Sequence, residues 1–164
     1  SNIKLHFQFN PELGFAEMYL NDENIEKQIR TIEVSNFVSK VAEVSEVRAK
    51  LVEQQQEMGK NKGIVMDGRD IGSVVFPHAE LKLFITADPT IRAQRRFLEL
   101  KEKGIETTLE EVEQNLTERD YIDSNRSISP LIQTQDAIVI DNSYLTREEQ
   151  LKMAKDLALE RIKQ

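Results

Sequence analysis

Three short, mainly apolar runs, Ile64-Val65-Met66, Leu81–Thr86 and Ala137–Ile140, are separated by stretches with helical periodicity. That alternation constrains the fold most, because strands joined through helices pair in parallel with right-handed crossovers. Asp88-Pro89 supplies an N-cap and a proline at the first helical position, and Gly104 suits a helix end. A helix is therefore predicted from Thr90 to Lys103. Thr107-x-x-Glu110 and Thr108-x-x-Glu111 are alternative capping boxes for the next helix, and Thr146-x-x-Glu149 caps a last one with Leu151, Ala154, Leu157 and Ala158 on one face. The expected class is α/β around a parallel sheet.

The opening differs. Ile3–Phe9 alternates apolar and polar residues, as a half-buried strand would. Asn10–Gly14 reads as a turn, Phe15–Leu20 as a second strand and Asn21–Asn24 as another turn. From about Thr31 to Met58 the period becomes helical. Val34, Phe37, Val38 and Val41 form one stripe, Val44, Val47 and Leu51 another, and Ser45 is a plausible cap between them. Ser39 and Arg48 lie close to these stripes.

The most informative stretch is Gly63–Gly72, GIVMDGRDIG. In open α/β sheets ligands sit beyond the carboxyl ends of strands. A strand ending in Asp67, Gly68, Arg69 and Asp70 delivers two carboxylates and a guanidinium there, with Gly68 allowing a sharp turn or a close approach. The alternative is a tight turn with a surface Asp–Arg pair.

Two helices carry a second anomaly. Leu109, Val112 and Leu116 make an apolar seam whose rhythm continues into Arg119, Asp123 and Arg126. Burying an unpaired arginine is costly, so these groups must meet partners, solvent or a ligand. An Arg119–Asp123 pair one helical turn apart would leave Arg126 unexplained. Arg92, Arg95 and Arg96 lie on one surface of the preceding helix, where Glu99 alone on that helix can relieve them; the choice is an anion site or a solvated face. Several guanidiniums suit an oligoanion, since Arg matches phosphate with a bidentate fork. Asp70 and Asp123 would repel phosphate and fit sugar hydroxyls or a base amine. Phosphate, sugar and base together describe a nucleotide.

Composition excludes other classes. A net charge of -7 argues against a general nucleic-acid or membrane-surface binder. With no cysteine, disulfides and thiolate metal sites are excluded, and His6 and His78 are too few and too far apart for a zinc site. No apolar run approaches transmembrane length, and no signal peptide opens the chain. A cytoplasmic protein is expected. The start at Ser-Asn rather than Met reads as a cloning scar or an excised piece.

The segments GIVMDGRDIGSVVFPHAELKLFITA, RAQRRFLEL, and ERDYIDSNR followed by SPL closely resemble bacterial cytidylate kinases, a family of nucleoside monophosphate kinases. The resemblance runs from the opening antiparallel unit through Asp141. It implies a P-loop kinase-type parallel-sheet core with a helical lid at about 92–126. Residues 1–45 would be a small antiparallel monophosphate-binding insert and residues 46–164 a partial core. It also implies transfer of the γ-phosphoryl of ATP to CMP or dCMP, with Mg2+. By the same resemblance Ser39, Arg48 and Asp70 would recognise cytosine, Arg119 and Asp123 the ribose, and Arg69 and Arg126 the monophosphate. Arg92, Arg95 and Arg96 would lie on the lid facing ATP phosphates, with Arg95, Arg126 and Arg69 as the catalytic arginines. Asp67 would stand near Mg2+ through water. The expected partners are nucleotides, with no nucleic acid and no membrane, and a monomer is expected.

One departure is serious. The family's GxxxxGK(S/T) loop, whose amides and lysine hold donor phosphates, does not occur in this sequence. The core is therefore expected to be incomplete at its N-terminus, and the chain by itself inactive. The alternatives are a nucleotide-binding homologue without catalysis, or a kinase of another small acceptor.

Overall fold

The computed structural model describes residues 3–163, except for the side chains of Ile32, Ser35, Asn36 and Ser39. The chain divides into two compact units, Ser1–Val44 and Ser45–Gln164.

In the first unit, β1 (Leu5–Asn10), β2 (Phe15–Leu20) and β3 (Glu23–Asn24) form an antiparallel sheet in the order β1-β2-β3. The register sets Leu5 opposite Leu20, Phe7 opposite Met18 and Phe9 opposite Ala16, so one face of the β1–β2 pair is apolar. The expected turn at 21–24 is shorter. Asn21 and Asp22 turn the chain with φ of 54° and 87°, and Glu23–Asn24 already pairs as β3. Asn and Asp tolerate this left-handed conformation better than most side chains. Glu26 is buried against the sheet, accepting from the Met18 N–H and the Arg30 Nε–H. Helix α1 (Ile32–Val41) starts at Thr31, whose hydroxyl accepts from the Val34 N–H. The alternation gives the strands and the stripe gives the helix, but neither gives the expected burial. Phe7 and Phe9 are 59% and 64% exposed, and Val34, Phe37 and Val38 are exposed as well. A lone three-stranded sheet has an apolar face that only another layer can cover.

In the second unit α2 (Ser45–Met58) comes first, with Ser45 as its first residue. β4 (Leu83–Thr86) and β5 (Ile138–Asp141) then pair in parallel, with Leu83 opposite Ile138 and Ile85 opposite Ile140. The expected strand at Ile64–Met66 is not formed: the segment makes no ladder bonds, and Val65 is fully exposed. An apolar run becomes a strand only where a neighbour accepts its hydrogen bonds, and β4 and β5 pair with each other.

Helices α3 (Pro89–Glu102) and α4 (Leu109–Asn125) pack as a hairpin around Ala93, Leu100 and Val112, with Phe97, Ile105, Leu109 and Leu116 against them. Asp88 caps α3 by accepting from the Thr90 and Ile91 N–H groups, and Gly104 (φ 71°) follows its end in the left-handed conformation that glycine adopts without penalty. The structure selects Thr108 with Glu111 as the capping box of α4. Helix α5 (Arg147–Ile162) is capped by Thr146 and Glu149 as expected. Its predicted apolar face is only half-buried, at Ala154, Leu157 and Ala158, while Leu151 is exposed. Among the described residues no helix is long and apolar enough to cross a membrane.

Candidate functional site: arginines gathered on two buried aspartates

Three elements of the second unit converge. The loop from Asp67 ends in a wide helical turn, Ile71–Val75, in which the Asp70 carbonyl accepts from the N–H groups of Val74 (2.8 Å) and Val75 (3.2 Å). Such π-type turns are rare and recur at functional sites. This one makes Asp70 a fixed point. Gly68 is needed here for packing, because a Cβ would come within 2.9 Å of Ile71 Cγ1. The close approach is thus to a neighbouring side chain within the loop. Gln56 on α2 donates to the Val75 carbonyl at 3.2 Å and fastens the helix to the turn. One outcome is that Arg48, two helical turns earlier on α2, forms an ion pair with Asp70.

Helix α4 supplies the rest. Its seam runs as the spacing requires, from Val112 and Leu116 to Arg119, Asp123 and Arg126, and the last two are buried. Asp123 is the hub. Arg69 Nε donates to its Oδ2 at 2.8 Å, Arg119 Nε stands 3.8 Å from the same oxygen, and Arg126 Nη1 lies 3.5 Å from Oδ1. Arg126 Nε also donates to the Ser129 carbonyl at 2.8 Å, and the Leu131 N–H to the Asp123 carbonyl at 2.7 Å.

The accounting does not close within the protein. Four guanidiniums, from Arg48, Arg69, Arg119 and Arg126, face two carboxylates, so the cluster carries excess positive charge. Asp70 and Asp123 are each only 3% exposed. Among the described residues of this cluster, four buried polar atoms make no hydrogen bond: Arg48 Nε, Asp70 Oδ2, Arg119 Nε and Arg126 Nη2. Each such atom costs about 1–3 kcal/mol when left unmet. Burial, then the neighbouring Arg48 guanidinium, holds Arg126 below the ordinary arginine pKa; burial, then Arg69, does the same to Arg119. Both remain cations at any ordinary pH. Unmet donors amid excess positive charge fit an anion, and the free Asp70 oxygen fits an N–H or O–H of the same ligand.

The three arginines of α3 are differently placed. Arg92 forms a two-pronged pair with Asp120 on α4, at 2.5 and 3.1 Å. Its pKa is raised, chiefly by that hydrogen bond. Arg95 donates to the Asn142 side chain (3.0 Å) and to the carbonyls of Asn142 (2.8 Å) and Ser143 (3.0 Å) in the loop after β5. Only Arg96 uses Glu99, at 2.8 Å. Relief by Glu99 alone is therefore corrected: each guanidinium has a separate partner, two of them supplied by other elements.

Asp67 is exposed at the start of the loop, and among the described residues no group of three His, Asp or Glu side chains could hold a metal ion. Ser39 falls on α1, and its side chain lies outside the described residues. Sequence reasoning passed over Asp120, Asn142, Ser143 and Ser129 as partners. The first three depend on how α3 meets α4 and the β5 loop. Ser129 acts through its backbone, which its residue type does not announce.

A sequence model of the cytidylate kinase family matches residues 1–159. A cytidylate kinase from Flavobacterium johnsoniae is 67% identical over 161 residues, covering 98% of this chain and 70% of that protein. One from Flavobacterium psychrophilum is 66% identical over 155 residues, covering 94% and 69%. One from Parabacteroides distasonis is 58% identical over 149 residues, covering 91% and 65%.

Proposed function

Because this chain belongs to the cytidylate kinase family, and so to the P-loop kinase fold, we propose that its arginine cluster is the acceptor site for CMP or dCMP in a transfer of the γ-phosphoryl of ATP. The observation that carries this reading is the excess of guanidinium gathered on two buried carboxylates, with unmet donors on Arg119 and Arg126. Arg126 and Arg69 take the monophosphate. Asp123, already holding three arginines, accepts from ribose hydroxyls, with Arg119 beside it. Asp70 Oδ2 accepts from the exocyclic amine of cytosine, and Arg48 holds Asp70 in place. Ser39 joins the base end by resemblance alone.

The chemistry needs no covalent intermediate. Positioning two phosphates in line and neutralising the charge on the transferred group supply the rate. Arginines on the α3–α4 hairpin suit that task if it closes as a lid over the reacting groups, which also keeps water out. Arg95 is the α3 arginine proposed to reach the phosphates, after leaving Asn142 and Ser143. Residues 1–45 are proposed as the monophosphate-binding insert and 46–164 as part of the core. ATP binding needs a phosphate cradle, and these 164 residues contain no GxxxxGK(S/T) sequence. Transfer is therefore proposed for the protein in which these residues act together with such a loop. Mg2+ would come with the nucleotide, since Asp67 offers one exposed carboxylate, enough for a contact through water and not for a site of its own.

The test is ATP-dependent phosphorylation of CMP, dCMP, UMP and AMP, by the complete gene product and by residues 1–164 separately. The complete product should use CMP and dCMP, and residues 1–164 should be inactive. A preference for AMP would overturn the acceptor assignment. Binding of CMP without turnover by the complete product would favour a nucleotide-binding homologue.

A further inference from the structure

We propose that Ser129 is a positioning residue for the phosphate end of this site, acting through its backbone. The inference rests on the acceptor-site reading above. Ser129 has φ 51°, one of few non-glycine residues in the left-handed region. It also precedes Pro130, and a residue before proline is pushed toward extended conformations. Both influences oppose the observed geometry, which therefore persists only because its surroundings enforce it. In this geometry the Ser129 carbonyl accepts from Arg126 Nε at 2.8 Å, while the Leu131 N–H, two residues on, closes onto the Asp123 carbonyl at 2.7 Å. The chain after α4 thus folds back to grip the end of the helix from which both buried charged residues project.

The consequence falls on one guanidinium. Arg126 is held at Nε by Ser129 and faces Asp123 through Nη1, while Nη2 is buried without a partner. A guanidinium is a rigid planar fork, so fixing two nitrogens fixes where the third points. The left-handed turn aims the unmet donor. If Ser129 relaxed to an extended conformation its carbonyl would swing away, and Arg126 Nε would join Nη2 as a buried donor without a partner. No hydrogen bond to the Ser129 hydroxyl is needed for this; the requirement is on φ alone.

Substitutions that differ in their tolerance of positive φ separate this role from others. Ser129→Gly accepts the conformation freely and should bind CMP as the wild type does. In Ser129→Val a branched Cβ makes positive φ a severe outlier, and the CMP dissociation constant should rise about tenfold. Cytidine, which lacks the phosphate, should bind both variants within twofold of wild type. Calorimetric titration of the complete gene product with CMP and with cytidine reads both numbers, and thermal melting reports folding. Should Ser129→Val not fold, Ser129→Ala is expected to show the same selective loss, at about threefold. A loop with a merely structural role would weaken both ligands alike. Parallel loss of CMP and cytidine, or CMP binding by Ser129→Val within twofold of wild type, would overturn the proposal. A wild-type chain that binds CMP no better than cytidine would instead overturn the acceptor-site reading beneath it.

Discussion

Helix α3 carries three guanidiniums and α4, with the residue that ends it, carries two, and the helices do opposite things with them. On α3, Arg92, Arg95 and Arg96 each have a full partner, and the pairs stand partly in solvent. Around α4, Arg119 and Arg126 share one buried carboxylate with Arg69 and retain donors that meet nothing. Counting arginines does not distinguish these cases. What distinguishes them is whether the local charge and hydrogen bonds close. The α3 set is satisfied as it stands and must give up bonds to serve a ligand, whereas the α4 set keeps buried donors that no group among the described residues meets.

That contrast can be broken by mutation. The largest effect is expected for Asp123→Ala, which leaves buried Arg126 and its neighbours without their counter-ion. Removing one partner of a buried pair costs about 3–5 kcal/mol, to be read from urea unfolding of residues 1–164. A loss below about 1 kcal/mol would mean that Asp123 is not the hub. Next comes Arg126→Ala, which should weaken CMP binding by about 1.5–3 kcal/mol, the worth of a charge-assisted hydrogen bond. Calorimetry that found CMP binding unchanged would move the phosphate elsewhere. Arg96→Ala sharpens the comparison from the other side, because a satisfied surface guanidinium should leave CMP affinity within threefold of wild type. The smallest effect is expected for Asp120→Ala. It frees a partly exposed Arg92, so unfolding should register about 0–1 kcal/mol. If Asp120→Ala proved as damaging as Asp123→Ala, burial would not be what separates the two helices.

Much of this was legible in the sequence, for identifiable reasons. Caps are local, so Asp88 before α3 and Thr146 before α5 were readable from their neighbours alone. The α4 seam was readable because helical spacing carries Arg119, Asp123 and Arg126 onto the face that Val112 begins. The choice between Thr107 and Thr108 was not, since both offer the same box and only the settled helix start decides. Ile64–Met66 was misjudged because ladder pairing is a property of two segments, and the sequence of one segment does not hold its partner. The partners of Arg92 and Arg95 were missed for the same reason, as Asp120 and Asn142 lie on other elements. The Ser129 clamp had no side-chain signal at all.

The most direct test of the central claim is a crystal structure of residues 1–164 grown with CMP. The account predicts a phosphate oxygen within hydrogen-bonding distance of Arg126 Nη2 and the cytosine amine against Asp70 Oδ2, with Arg92 and Arg96 still on Asp120 and Glu99. CMP bound with its phosphate on the α3 arginines, and the α4 donors left unmet, would contradict it.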